Sequence, residues 1–403
     1  MLKTLRSVLH FRRRARTPQE RLRAHAVNID DLRRLALRRL PRGVFNYIDG
    51  GAEDEVTLRA NSDAFRRWNF APRVLEDVSQ VDTSVTLLGR RMPFPLVLAP
   101  TGFARMADPE GELAVARAAA RAGVPFSLST VATRSSEEVA AAADDVTLWF
   151  QLYVLRDRGM VRELVQRADA AGYQALMPTV DIPVPGRRER DVRSGFTLPP
   201  QLGPGTIVDG IRHPGWTWRF IRSDPIVFSN VGAGAAGDGS TPVALSSLIN
   251  TLFDPAFTWR DLAWLREIWE GALVVKGIQT VADARLAADL GCDAIVLSNH
   301  GGRQLDGAPP ILDLVAPVVD AVGSRVAVIC DGGVRRGGDI VKALALGARA
   351  CMAGRAYLYG LGAGGEAGVD YAIDLLAEET ARTMALLGCR TVAQLGRAYL
   401  TRA

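Results

Sequence analysis

A chain of 403 residues, 48% hydrophobic and 23% charged, has the makeup of a globular protein with a sizeable core, and α/β barrels of this length form one unit. Its four cysteines, Cys292, Cys330, Cys351 and Cys389, show no metal-type spacing, which argues against a zinc site or a disulfide framework and for a reducing cytoplasm. The net charge of +5 is uneven: residues 1–42 hold 13 Lys+Arg against Glu20, Asp30 and Asp31, a balance of +10, leaving −5 for the rest.

The basicity therefore belongs to the start of the chain. No apolar segment follows its arginines as in a secretory signal, and no run approaches 18 uninterrupted apolar residues. Residues 1–28 read as a basic arm, either a solvated tail or a peripheral contact with an anionic membrane surface, and not as a nucleic-acid binder. The remainder, 29–403, reads as one domain. At its start Asp30 is placed as the N-cap of a helix through Arg39, stopped by Pro41.

Eight short apolar runs follow: Leu96–Ala99, Pro125–Leu128, Leu148–Leu152, Ala175–Val180, Leu273–Val275, Ala294–Leu297, Val326–Cys330 and Ala350–Ala353. Segments of helical periodicity lie between them, among them Gly111–Ala122, Arg158–Ala171, Val281–Leu290 and Gly338–Leu346. Eightfold strand–helix alternation predicts a (β/α)₈ TIM barrel, with the earlier helices capping it. A dinucleotide-binding sheet is disfavoured, because no Gly-x-Gly-x-x-Gly turn follows the first run. One interval is too long. The fourth and fifth runs are separated by a loop with an insertion at about 192–257, which contains Trp216, Trp218, Phe220, Ile221 and the flexible run Gly232–Thr241.

In such barrels the chemistry sits at the C-terminal strand ends. Here those ends carry Pro100-Thr101-Gly102, Ser129, Gln151 with Tyr153, Thr179 with Asp181, Lys276, Ser298 with His300 and Arg303, Asp331-Gly332-Gly333 with Arg335, and Gly354-Arg355. The glycines and arginines after the seventh and eighth runs suit a phosphate. Asp331 suits a sugar hydroxyl better, which points to a phosphorylated cofactor carrying a polyol. Lys276 is placed to stabilise charge on an electron-accepting ring. His300 reads as a base with Arg303 as a carboxylate partner, and Asp181 as the group that orients the imidazole. Zinc spacing, a Gly-x-Ser-x-Gly elbow and a Walker loop are all missing.

From about Ile29 to the C-terminus the chain resembles the FMN-dependent 2-hydroxy-acid oxidases and dehydrogenases. The resemblance is carried by SNHGGRQLD at 298–306, DGGVRRG at 331–337, NYIDGGAEDE at 46–55, APTGF at 99–103, WFQLY at 149–153 and TVDIPVPGRRERD at 179–191. It implies FMN held by Pro100, Thr101, Gly102, Ser129, Gln151, Thr179, Lys276 and Ser298, with Asp331, Gly332, Gly333, Arg335, Gly354 and Arg355 on its ribityl and phosphate groups. It implies His300 as the base, Asp181 paired to it, Tyr153 on the hydroxyl side, and Tyr47, Arg188 and Arg303 on the substrate carboxylate. Plant-type glycolate oxidases carry tryptophan where Val131 stands, which disfavours glycolate. Oxidases carry alanine where Gly102 stands, so the chain resembles the dehydrogenases that reduce a quinone or cytochrome. The insertion, with HPGWTWRF at 213–220, resembles the same branch. The expected activity is oxidation of an L-2-hydroxy acid, L-lactate first, in a homotetramer that is cytoplasmic and peripheral to the inner membrane face. The alternatives are an oxygen-using oxidase, a mandelate-type dehydrogenase, an FMN isomerase and a non-catalytic flavin-binding protein.

Overall fold

The computed structural model of the chain describes residues 17–195, 203–231 and 253–403. Eight parallel strands close into a barrel: β1 (Leu96–Leu98), β2 (Phe126–Ser129), β3 (Leu148–Leu152), β4 (Ala175–Pro178), β5 (Ala272–Ile278), β6 (Ala294–Leu297), β7 (Ala327–Asp331) and β8 (Ala350–Ala353). Each falls on one of the eight apolar runs. Alternation within a strand sorts its side chains into two cores. Val97, Trp149, Met177, Val274, Val296, Ile329 and Met352 fill the barrel interior. Leu96, Leu98, Phe150, Leu176, Val275, Ile295 and Cys330 face the surrounding helices.

The interior is closed at one end. A hairpin of Val85–Leu87 and Arg90–Met92 adds Val85, Leu87 and Met92 to the interior core. Arg90 bonds Thr147 at 2.7 Å, just before β3 begins, which puts this plug at the N-terminal end of the strands. The other mouth holds every strand-end residue named above.

Four helices precede the barrel: α1 (Pro18–His25), α2 (Ile29–Arg39), α3 (Arg42–Asp49) and α4 (Val56–Arg66). Two expectations need correction here. The N-cap of α2 is Asn28, whose side chain accepts from Asp31 N, and Asp30 lies inside the helix. Within the stretch assigned to the arm, residues 18–25 form α1: Thr17 and Glu20 make a capping box and Leu22 is buried against the C-terminal helices.

Between and after the strands come α5 (Gly111–Ala122), α6 (Ser136–Ala140), α7 (Arg158–Ala170), α8 (Glu189–Arg193), α9 (Pro204–Arg212), α10 (Pro214–Arg222), α11 (Trp259–Ile268), α12 (Val281–Asp289), α13 (Leu312–Val322), α14 (Gly337–Ala345), α15 (Arg355–Gly364) and α16 (Glu366–Leu386). The pair α9–α10 occupies the long excursion after β4. The run Gly232–Thr241 lies outside the described residues. All four cysteines are free and buried. Among the described residues no helix is long and apolar enough to cross a membrane, and no cluster of side chains could hold a metal ion.

Candidate active site

The open mouth holds a cleft of about 1200 Å³ counted out to solvent, lined by residues from strand ends, α3, α15 and the loop after β4. Its floor is a polar chain. Lys276 donates to Ser298 Oγ at 2.9 Å and pairs with Asp331 at 3.1 Å, and Ser298 Oγ donates to Asp331 Oδ2 at 2.7 Å. Beside it Ser129 Oγ donates to Gln151 Oε1 at 2.9 Å. The Gln151 Nε2 atom is buried with no partner, and so is Thr179 Oγ1 in the small adjoining pocket beneath Tyr153. An unmet buried polar atom costs about 1–3 kcal/mol, and the polar edge of a flavin ring would satisfy both. Pro100, Thr101 and Gly102 form the facing wall.

Farther along the cleft, Gly332 and Gly333 end β7 and Gly354 caps α15, giving backbone N–H groups and a helix N-terminus suited to a phosphate. Arg335 lies there, with its guanidinium 5.7 Å from the Tyr359 ring centre. Arg355 lines the same space, but its donors reach the carbonyls of Ile48 (3.1 Å), Gly301 (2.9 Å) and Gly50 (2.7 Å). Burial, with repulsion from Arg303, lowers its pKa to about 9. The residues present fit a flavin mononucleotide: an unmet amide and hydroxyl at the ring end, and glycines and cations at the phosphate end.

Another part of the cleft is built around His300. Its Nδ1 lies 3.1 Å from Asp181 Oδ1 and its Nε2 3.4 Å from the Tyr153 hydroxyl. Burial lowers the His300 pKa, aided by Lys276 and Arg303 and opposed by Asp181, so the ring is neutral at neutral pH. Burial alone would raise Asp181, but its hydrogen bond with His300 and the Lys276 charge hold it below the usual range. The Tyr153 hydroxyl is pushed up by burial and by Asp181, so it stays protonated. Opposite, the guanidinium groups of Arg188 and Arg303 lie 5.5 and 5.1 Å from the Tyr47 ring centre. Arg303 also donates to the Tyr47 and Gly50 carbonyls, which ties α3 to the site. Of the neighbouring arginines, Arg190 is committed to Asp49 and Glu55, whereas Arg188 lines the cleft.

Several supporting residues were not legible. Asp191 holds Arg188 Nε at 2.8 Å. Gly277 sits at a bulge in β5 with φ +106°, and a Cβ there would lie 2.8 Å from Asp181 Cβ, so only glycine lets that carboxylate in. Asn61 on α4 exchanges two hydrogen bonds with Asn299 (2.8 and 3.0 Å), fixing the turn that carries His300. Within SNHGGRQLD, Asp306 accepts from the Val56 and Thr57 amides at the start of α4. The asparagine pair had no local signal. The capping role of Asp306 links positions 250 residues apart.

A model of the FMN-dependent dehydrogenase family matches residues 36–402. The chain belongs to that family. L-lactate dehydrogenase from Caulobacter vibrioides is 47% identical over 92% of this chain and 96% of its own length. (S)-mandelate dehydrogenase from Pseudomonas putida is 42% identical over 93% of each chain. A crystal structure of (S)-mandelate dehydrogenase, described as a monotopic membrane protein, superposes with a TM-score of 0.90 at 41% identity, covering 94% of this chain and 100% of that one. The cofactor of an FMN-dependent dehydrogenase is thus FMN, as the resemblance implied, on the closed barrel expected from the strand pattern.

Two outcomes follow for this FMN-dependent dehydrogenase. His300→Gln should retain flavin yet slow flavin reduction by about two to four powers of ten, the loss expected with a general base. In the wild type, kcat/KM should rise with pH along a limb centred below 6.5, where His300 loses its proton, and that limb should vanish in the variant. Retention of the limb in His300→Gln would assign it to another group. Separately, Arg188→Lys should raise the substrate KM by about tenfold to a hundredfold, the scale of one lost charge-assisted bond, with flavin content unchanged. Asp191→Asn, which keeps the shape of the carboxylate but not its charge, should raise it less. Unchanged kinetics in Arg188→Lys would remove Arg188 from the site.

Proposed function

We propose that this chain oxidises an L-2-hydroxy acid, L-lactate first, to the 2-keto acid and delivers the electrons to a membrane quinone. The observation that carries the reading is a neutral, carboxylate-backed imidazole facing two guanidinium groups across one cleft. Arg188 and Arg303 receive the substrate carboxylate, for which paired planar donors are the matching shape. Tyr153 directs the substrate hydroxyl toward His300, 3.4 Å from its own oxygen. His300 takes a proton at Nε2, and Asp181 stabilises the resulting imidazolium through Nδ1. Bound FMN supplies the two-electron acceptor. Ser129, Gln151, Thr179, Lys276 and Ser298 would hold its ring, and Asp331, Gly332, Gly333, Arg335, Gly354 and Arg355 its ribityl and phosphate groups. The L-lactate dehydrogenase relatives favour lactate. The likeness to a mandelate dehydrogenase structure favours a larger acid as the second reading.

Anaerobic titration with L- and D-2-hydroxy acids tests this directly. L-lactate should bleach the bound flavin and D-lactate should not. An FMN isomerase or a non-catalytic flavin protein would bleach with neither. A quinone analogue should then restore the oxidised spectrum far faster than oxygen does. Peroxide formed at the full turnover rate in air would move the protein to the oxidases.

The quinone requires contact with a bilayer. On α9, Ile207, Val208 and Ile211 are exposed, and on α10 so are Trp218 (59%) and Ile221 (72%). The four residues first grouped in this insertion divide: Trp216 turns inward, bonding Met106 O at 2.7 Å and stacking on Phe220, while Trp218 and Ile221 face out. The helix pair is pinned to the mouth by Arg219–Asp108 (2.8 Å) and by Asp209 accepting from Arg42 N (2.6 Å). We read its outer face, together with the basic residues 1–16, as a peripheral contact with the anionic cytoplasmic leaflet, where each basic side chain adds about 1 kcal/mol. We read exposed Val74, Leu75 and Leu386, brought near one another by the Arg73 N–Leu387 O bond, as a surface for self-association into the expected tetramer. Ile211→Asp with Trp218→Asp should abolish co-sedimentation with phosphatidylglycerol vesicles and slow quinone reduction in them, while anaerobic flavin reduction by L-lactate stays as in the wild type. Wild-type protein that fails to co-sediment at low salt would overturn the membrane reading.

A further inference from the structure

The excursion after β4 returns to the barrel through residues 224–231, and this return is built into the mouth. Arg105, buried, donates to the carbonyls of Asp224 (2.6 Å) and Pro225 (3.1 Å). Ser229 bonds Ala132 O through its amide (3.3 Å) and Thr133 O through its hydroxyl (3.1 Å). Asn230, 4% exposed, uses its whole side chain on the loop after β2: Oδ1 accepts from Ser136 N at 2.8 Å, and Nδ2 donates to Arg134 O (3.3 Å) and Ser129 O (3.4 Å). On the opposite side of that loop, buried Glu112 accepts from Thr133 N (2.8 Å) and Thr133 Oγ1 (2.9 Å).

The loop so gripped carries Val131, a wall of the cleft. Its Cγ2 is 3.0 Å from where a methyl group on Gly102 would stand. Its amide accepts no freedom either, since Val131 N donates to Ser129 Oγ at 3.3 Å. A wall in a close-packed site moves only if its supports move. Without the Asn230 amide, Ser136 N and Arg134 O lose their side-chain partner and Ser129 O keeps only its bond from Ala132 N, so the loop must shift to regain water or other partners.

We propose that Asn230 is a positioning residue that fixes the Val131 wall and so sets the size of 2-substituent the cleft accepts. The inference rests on the 2-hydroxy-acid reading above. It gives the excursion a second role, on the substrate side, besides any contact with a membrane.

The test uses full-length FMN-loaded protein and two probes of different size, L-lactate and (S)-mandelate. Asn230→Ala should shift the ratio of their kcat/KM values by about tenfold toward the larger acid, the scale of one methylene in a hydrophobic pocket. Its flavin content should match the wild type. Val131→Ala should shift the ratio the same way, and adding Asn230→Ala to it should change the ratio little, because the supported wall is already gone. A purely structural role would lower kcat/KM for both acids alike and add fully to Val131→Ala, and that result overturns the inference. Should Asn230→Ala not accumulate as a folded flavoprotein, Ser229→Ala, which removes one hydroxyl bond to the same loop, must shift the ratio in the same direction, and an unchanged ratio overturns it. Wild-type protein reduced by neither acid overturns the substrate reading and this inference together. Normal wild-type turnover with an unchanged ratio in Asn230→Ala overturns the inference alone.

Discussion

Asp181 and His300 meet at 3.1 Å with the carboxylate side chain 1% exposed, and the rest of the mouth is arranged around keeping that contact. A buried carboxylate is costly unless its charge is answered, and here a hydrogen bond with His300 and the Lys276 charge answer it. The backbone gives way on both sides. β5 bulges at Gly277 to let Asp181 approach, and His300 itself adopts φ +58°, a left-handed conformation that costs a non-glycine residue about 1–3 kcal/mol. That strain is held in place by the hydrogen bond from His300 N to Ser298 Oγ and by the reciprocal Asn61–Asn299 amides. The imidazole is thereby presented neutral, oriented and rigid, as the proposed base requires.

Around it the cleft gathers more cation than anion. Arg188, Arg303 and Arg355 all line it, and burial lowers both Arg303 and Arg355. Arg303 and Arg355 are stabilised by carbonyls at the C-terminal end of α3, where the helix dipole favours positive charge, and both donate to Gly50 O. Guanidinium groups satisfied by carbonyls keep their full charge, so the cleft holds an uncompensated positive field. A substrate carboxylate and a cofactor phosphate are the two anions that this field attracts. The sharing of Gly50 O also joins the two ends of the cleft through one backbone atom.

The barrel was legible because each strand is a short buried run whose neighbours are turns, and because a rim must carry its polar residues just past those runs. The strand-end residues Ser129, Gln151, Thr179, Lys276, Ser298 and Asp331 follow from that rule alone. Tyr47 and Arg188 do not, since one stands on a capping helix and the other in a loop, and no periodicity ties either to the rim. They entered through family motifs. Asn61, Gly277 and Asn230 escaped for a further reason: the two amides act by hydrogen bonds, and the glycine by its missing side chain, on residues far away in the chain. The α1 helix, in contrast, was readable in principle, because Thr17-Pro18-Gln19-Glu20 is a capping box with proline at the first helical position. The surrounding arginines outweighed it in a reading based on charge.

The excursion after β4 supplies more than its outward face. Its two described ends deliver phenylalanines to the two phenols of the site: Phe253 lies 4.7 Å from the Tyr153 ring, and Phe228 lies 4.9 Å from Phe103, which meets the Tyr47 ring edge-on at 5.8 Å. These contacts back the Tyr153 ring directly and the Tyr47 ring through Phe103. For Tyr153 the consequence is chemical, because burial is the largest cause of its raised pKa and so keeps it a neutral hydrogen-bond donor beside His300. The proton transfer proposed at His300 would then take place among groups whose protonation states are set beforehand: a neutral imidazole, an ionised Asp181 and a protonated phenol. Phe253 from the excursion backs the phenol, whereas burial and the rim groups Lys276, Arg303 and Asp181 set the state of the imidazole, so the setting that the proposed base requires is shared between the barrel rim and the segment that returns to it.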